Sequence, residues 1–142
     1  MARIVRPMIV DKAKNLPLVG SRSKCLGVRE SGPYADIDVD SSEIVAVNRK
    51  GLSVSESWRS LPGHLIPEHL DDGHNGASGK NMAVFVHGTG GFVEGQVAVG
   101  LELCFKIGTA SAGNLCPVVA VPVTQYQLDL ATTRADWVID ES

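Results

Sequence analysis

Apolar and polar residues alternate over positions 34–40, where Ala35, Ile37 and Val39 are separated by aspartates. A period of two is typical of a strand that is buried on one face. Turn-forming residues, such as those at 31–33, separate this run from its neighbours. Similar short runs predict further strands at 24–29, 43–47, 52–55, 82–87, 101–107 and 118–121. The pattern therefore predicts a domain built mainly from short strands.

The last part of the chain has a helical period instead. Tyr126, Leu130, Thr133 and Trp137 follow one another at intervals that place them on one helix face. Thr124 stands three residues before a glutamine, which is the spacing of a capping box. We expect this helix to close the core, with Trp137 as its anchor.

Many strands followed by one helix predict an α+β fold, with a mainly antiparallel β core and a single C-terminal helix. A chain of 142 residues is long enough to bury such a core as one domain. We expect residues 1–24 to form an irregular N-terminal segment and residues 25–142 to form the domain. The glycine-rich polar stretch at 71–80 predicts a surface loop.

Composition excludes several classes of protein. The formal net charge of −3 favours no bulk interaction with nucleic acid. No apolar run approaches the roughly 20 residues of a membrane span. The N-terminus carries charges and no signal-peptide core, so we expect a cytoplasmic protein. Cys25, Cys104 and Cys116 form no metal-binding or disulfide pattern, which predicts three buried, reduced thiols.

Local motifs suggest three kinds of chemistry, each incompletely. The string His-Gly-Thr-Gly-Gly at 87–91 resembles the oxyanion-hole loop of α/β-hydrolases, but no Gly-x-Ser-x-Gly elbow accompanies it. A glycine-rich hairpin turn after a core strand, with glycines at positive φ, is the simpler interpretation, and a small hydrolase or nuclease using His87 is the alternative. Residues 76–80 contain part of a phosphate loop, without a predicted helix after it. His64 and His69 are too loosely spaced to predict a metal site.

A set of short motifs occurs in a defined order over residues 25–138. It consists of Leu26-Gly-Val-Arg29, Gly51-Leu-Ser-Val54, Leu61-Pro62, Ile66-Pro67, Gly100-Leu-Glu-Leu103, Val121-Pro122 and the segment 126–137. In the order of these motifs, the chain resembles small bacterial toxins that are delivered by type VI secretion systems or are encoded together with an antitoxin. The fold of those toxins is like that of mono-ADP-ribosyltransferases. The chain departs from the pattern at Leu52, where a threonine is expected, and it has no Glu-x-Glu motif.

The resemblance implies a toxin or effector domain that uses NAD as its cofactor and has an antitoxin or immunity protein as partner. Arg29 is then the cation for the dinucleotide pyrophosphate, and Ser53 a polar contact to ribose or amide. Catalytic roles fall to Ser53 and to one of two carboxylates, Glu56 or Glu94. We expect Arg29 and Ser53 to converge on one concave site. The target in the recipient cell is not implied.

Each of these roles has a simpler alternative. Arg29 could form a surface ion pair with Asp36 or Asp38, and Ser53 could be an ordinary strand serine. For the whole chain, the alternative to an ADP-ribosyltransferase-like enzyme is a non-enzymatic effector module that binds a protein partner through its loops.

Overall fold

The computed structural model describes residues 2–70 and 81–142. In this part of the chain ten strands and one α-helix follow one another as β1 (Ile4–Asp11), β2 (Leu16–Pro17), β3 (Ile44–Val45), β4 (Leu52–Ser55), β5 (Met82–His87), β6 (Gly95–Ala98), β7 (Leu101–Phe105), β8 (Ala112–Pro117), β9 (Val121–Pro122), α1 (Val123–Thr132) and β10 (Trp137–Ile139). In the described residues between β4 and β5, three short 3-10 turns occur at Trp58–Ser60, Gly63–Leu65 and Glu68–Leu70. The loop predicted at 71–80, with its partial phosphate loop, lies outside the described residues.

Eight of the described strands form one antiparallel sheet. Its order is β10-β5-β1-β4-β8-β7-β6, with β2 paired to the far end of β1. The two-residue strands β3 and β9 form a separate small pair. Helix α1 packs on the sheet through Val123, Tyr126 and Leu130, which are buried. The predicted α+β fold with a mainly antiparallel core and a C-terminal helix is confirmed.

The expectation of an irregular segment over residues 1–24 is wrong, because β1 is a central strand of the sheet. It pairs with β5 over six residues, from Ile4 opposite His87 to Ile9 opposite Met82. Ile4 and Met8 face the main core, while Val5 packs with other valines on the opposite face. A strand buried on both faces shows no alternation. Arg6 and Pro7 also interrupt its apolar run, so the pattern did not predict a strand here.

Two predicted strands, at 24–29 and 34–40, are not strands in the structure. The backbone at Lys24 has a φ of 69°, which a strand cannot contain. Ile37 is buried as its alternation predicted, but it reaches the core from a loop. In the second segment only Val39 makes a strand-like contact, an isolated bridge to Val45. The run predicted at 118–121 contributes only its last residue, to β9.

The helix is present but shorter than the Tyr126–Trp137 spacing predicted. It ends at Thr132, and a 3-10 turn leads into β10, which begins at Trp137. Trp137 is still buried, as predicted, and its indole N–H donates to the Thr133 hydroxyl at 2.8 Å. The predicted capping box is wrong, because Pro122 is the N-cap and no side chain caps the helix.

The three cysteines are free and buried, as predicted. Burial raises the pKa of the Cys104 thiol and, more strongly, that of Cys116. A thiol whose pKa is raised forms little thiolate at neutral pH, so these two residues are poor nucleophiles.

Candidate functional site

The candidate site lies where two neighbouring strands of the sheet separate. β1 and β4 are paired at Val5 and Ser55 only, although β4 pairs with β8 along its whole length. A cavity of about 260 Å³ touches both strands at this point. We call it the wedge cavity.

Arg6 of β1 spans the gap between the two strands. Its guanidinium donates to the Ser53 carbonyl at 2.8 Å and, through two nitrogens, to the Cys25 carbonyl at 3.0 and 3.3 Å. Removal of this group from water lowers its pKa to about 10, against the raising effect of the Asp36 carboxylate. Arg6 remains charged at neutral pH, and it joins β1, β4 and the loop before Arg29 around the cavity.

Arg29 is held in place by its neighbours on both sides. The Asp36 carboxylate accepts from the Arg29 backbone N–H at 2.8 Å and from the guanidinium at 3.1 and 3.3 Å. Gln127 of α1 donates to the Val28 carbonyl at 2.8 Å and accepts from the Val28 N–H at 3.0 Å. The ion pair proposed as the simpler alternative for Arg29 therefore exists.

That ion pair leaves part of the Arg29 guanidinium accessible. The bonds to Asp36 raise the pKa of Arg29, so its charge is permanent. About 40% of the side chain is exposed, and among the described residues its Nη1 has no hydrogen-bond partner. The residue lines the wedge cavity, so Asp36 orients a cation that can still bind an anion.

Ser53 lines the same cavity and receives a second cation. Lys106, the residue after β7, donates from Nζ to the Ser53 hydroxyl at 3.3 Å. Lys106 itself lines the cavity. The structure therefore brings Arg29 and Ser53 together in one concave site, and it adds Arg6 and Lys106, which the sequence did not single out.

The charge of the wedge cavity is opposite to that of the whole protein. Four cationic residues line it, and Asp36 is the one acidic residue among its described lining, so the formal charge of the lining is +3. The whole chain has a formal charge of −3. The four cations are Arg6, Lys24, Arg29 and Lys106. This arrangement favours an anionic ligand.

The rest of the lining is apolar or carries hydroxyls. The segment between β4 and β5 contributes Ser60, Leu61, Pro62 and Leu65. We call residues 58–70 the cavity wall. Pocket walls of this mixed character bind the apolar part of a ligand while a few polar groups fix its orientation.

The two glutamates predicted as catalytic do not line the wedge cavity. Glu56 lies with Arg3, Gly90, Gly91 and Phe92 around a separate cavity of about 260 Å³.

Glu94 lies elsewhere on the surface, where it accepts from the Phe105 N–H at 3.0 Å and pairs with Arg49 at 2.8 Å. These bonds lower the pKa of Glu94, the backbone N–H having the larger effect. The structure therefore places Ser53 in the cavity without either predicted carboxylate.

His87 lies apart from both of these cavities in the described structure. It is buried at the end of β5, with its ring 5.3 Å from the ring of Trp137. Burial lowers the pKa of His87, against the effect of Asp136. It lines none of the cavities described above. Gly88 and Gly90 after it have the predicted positive φ, but β5 does not pair with β6 in the described sheet, so the predicted hairpin is wrong.

The described residues contain no cluster of three or more histidines, cysteines or acids that could hold a metal ion. None of the helices in the described ranges is both long enough and apolar enough to pass through a membrane.

Comparison with known proteins identifies no relative. No family model, no curated protein and no solved structure matches the chain.

Proposed function

We propose that this protein is a toxin-like effector domain that binds a phosphorylated ligand in the wedge cavity, with NAD as the first candidate. One observation carries the proposal: four cationic side chains surround one cavity in a chain whose net charge is negative. A guanidinium that presents two N–H groups to phosphate binds it more strongly than a neutral donor does. The family resemblance supports the same ligand class, and it adds action in the cytoplasm and an antitoxin or immunity protein as partner.

The size of the cavity limits how much of the ligand it encloses. Pockets that enclose drug-sized ligands measure about 300–1,000 Å³. At about 260 Å³, the wedge cavity suits a phosphate or pyrophosphate with one attached group. In our proposal the remainder of a dinucleotide lies outside it.

Binding and chemistry are separate parts of this proposal. Breaking the glycosidic bond of NAD passes through an oxocarbenium-like state that a carboxylate stabilises. Asp36 is the one acidic residue in the described lining, and Arg29 already binds it. The geometry therefore supports ligand binding more directly than it supports ADP-ribosyl transfer. For this reason NAD breakdown is measured separately from binding.

Calorimetric titration of the purified protein with NAD and with inorganic pyrophosphate tests the binding. We expect Arg29→Ala and Lys106→Ala each to weaken binding roughly 10- to 100-fold, since a hydrogen bond to a charged group contributes about 1.5–3 kcal/mol. Arg49→Ala is the matched control, because Arg49 is an exposed, ion-paired arginine outside the cavity. Its affinity should equal that of the wild type.

Absence of binding by the wild type, or an equal loss in Arg49→Ala, would overturn the proposal. Growth of bacteria that express the wild type or Arg29→Ala then tests toxicity. NAD breakdown, followed separately, decides whether a binding site is also an active site.

A protein-binding module is the second candidate, and one observation favours it. Val99 and Val119 are 84% and 62% exposed. Val118 is also exposed, and its N–H donates to the Gly100 carbonyl at 3.0 Å, so the β6–β7 turn and the end of β8 lie together. Apolar side chains grouped on a surface are typical of protein interfaces. Loss of partner capture in Val99→Ser and Val119→Ser, with ligand binding unchanged, is the result expected for this candidate.

A further inference from the structure

The cavity wall has little stability of its own. Its three 3-10 turns have three residues each and contain no buried residue. Short 3-10 helices have poor hydrogen-bond geometry and depend on their surroundings. At its two ends, Trp58 and Leu70 pack against the valine cluster of Val5, Val84 and Val86. The residues that line the cavity lie between these two anchors.

Residues 140–142 bind this wall at both ends. The Ser142 carbonyl accepts from the Trp58 indole N–H at 3.2 Å and from the Arg59 guanidinium at 2.9 Å. The Glu141 carboxylate contacts His69 Nε2 at 2.7 and 2.8 Å. The first pair of contacts reaches the start of the wall, and the second reaches its end.

The same residues are tied to the sheet. The Asp140 N–H donates to the Val84 carbonyl at 3.0 Å, and Glu141 Oε2 accepts from the Val84 N–H at 3.2 Å. These bonds continue the β10–β5 pairing past Ile139. Val84 is fully buried in the central part of β5. Glu141 therefore connects the cavity wall to one of the most firmly packed strands of the protein.

We propose that residues 140–142 form a strap that positions the cavity wall and so sets the affinity of the wedge cavity for its ligand. This inference rests on the proposed function. Glu141 is a positioning residue, since it touches the wall and the sheet but does not line the cavity. Leu61, Pro62 and Leu65 contact the ligand, and their placement depends on contacts that lie outside the cavity.

The test combines ligand affinity with hydrogen exchange. We expect Glu141→Ala to weaken NAD binding at least fivefold and to speed amide exchange in residues 58–70. Glu141→Gln keeps the acceptor for the Val84 N–H and should recover most of both properties. Trp58→Phe is a second variant, because it removes the indole donor to Ser142 and keeps an aromatic ring against the valine cluster. It should have the same two effects.

Glu68→Ala is the matched control, because it removes an exposed glutamate from the same wall. Its affinity and exchange should equal those of the wild type. Unchanged exchange over 58–70 in Glu141→Ala overturns the strap, and so does faster exchange with unchanged affinity. Failure of the wild type to bind pyrophosphate or NAD overturns the proposed function instead, and exchange then decides by itself whether the strap positions the wall.

Discussion

At the scale of single residues, two buried polar side chains differ in whether their hydrogen bonds are satisfied. Arg6 satisfies a strand carbonyl with a guanidinium where β1 and β4 separate. His87 is the contrasting case, since its Nδ1 is the one buried side-chain nitrogen or oxygen without a hydrogen-bond partner in the described residues. A buried imidazole that gains a proton must hold a charge in apolar surroundings, which is unfavourable.

His87 should therefore make folding stability depend on pH. Its folded pKa lies below the ordinary value of 6.5, so near that value the unfolded chain binds more protons than the folded protein. This contribution to stability is present above about pH 6.5 and is lost as the pH falls through the folded pKa. We expect the urea concentration at the unfolding midpoint to decrease when the pH is lowered from 8 to 5.5.

Comparison of His87→Phe with His64→Gln isolates this effect. The first variant should show a flatter pH dependence, whereas His64 is exposed and its replacement should leave the dependence unchanged. A wild-type slope that survives in His87→Phe would assign the pH dependence to other groups.

At the scale of elements, one side chain connects the helix to the sheet. The Tyr126 hydroxyl of α1 donates to the Leu115 carbonyl of β8 and accepts from the Leu52 N–H of β4 at 3.1 Å. Gly51 makes this approach possible, because an added Cβ would lie 2.2 Å from the Leu115 carbonyl oxygen and 2.7 Å from the Tyr126 hydroxyl. The glycine before β4 is therefore required by packing.

Tyr126→Phe should destabilise the protein by about 1–3 kcal/mol, because it leaves a buried carbonyl and a buried N–H without their partner. Chemical denaturation followed by circular dichroism measures the change. Tyr34→Phe removes a hydroxyl from a side chain that is 75% exposed and should change stability little. Equal stability of the wild type and Tyr126→Phe would show that the hydroxyl bonds contribute nothing net.

At the scale of the whole molecule, the sheet brings the two ends of the described chain together. β10 pairs with β5, and β5 pairs with β1, so both terminal strands lie on one side of β4. Trp137 is 1% exposed and belongs to the main core cluster. Its burial couples the last strand to the helix through Thr133 and to β5 through His87.

Trp137→Ala should destabilise the fold by roughly 3–5 kcal/mol, since it removes a large buried ring and leaves a cavity. Val138→Ala is the control from the same strand, because Val138 is 58% exposed. Urea midpoints of both variants check the prediction. If Trp137→Ala lost no more stability than Val138→Ala, β10 would not close the core.

Part of the candidate site could be found before the fold was known. Arg29 and Ser53 were singled out by the order of short motifs, and they do line one cavity. Arg6 and Lys106 were missed, because each lies far along the chain from Ser53 and only strand pairing brings them together. Residue type is the only basis for Glu56 and Glu94 as catalytic candidates, and it says nothing about where a side chain lies.

By itself, the sequence determined the features that depend on neighbours along the chain. Alternation and apolar runs located β4, β5 and β7, and a helical period located α1, since side chains that follow one period face one side of their element. Tertiary structure decided the rest. In the folded protein β1 is a central strand in spite of Arg6 and Pro7. Trp137, which the helical period placed in the helix, lies in a strand. Tertiary structure also set four cations around one cavity, because contacts between distant segments depend on packing that no local pattern records.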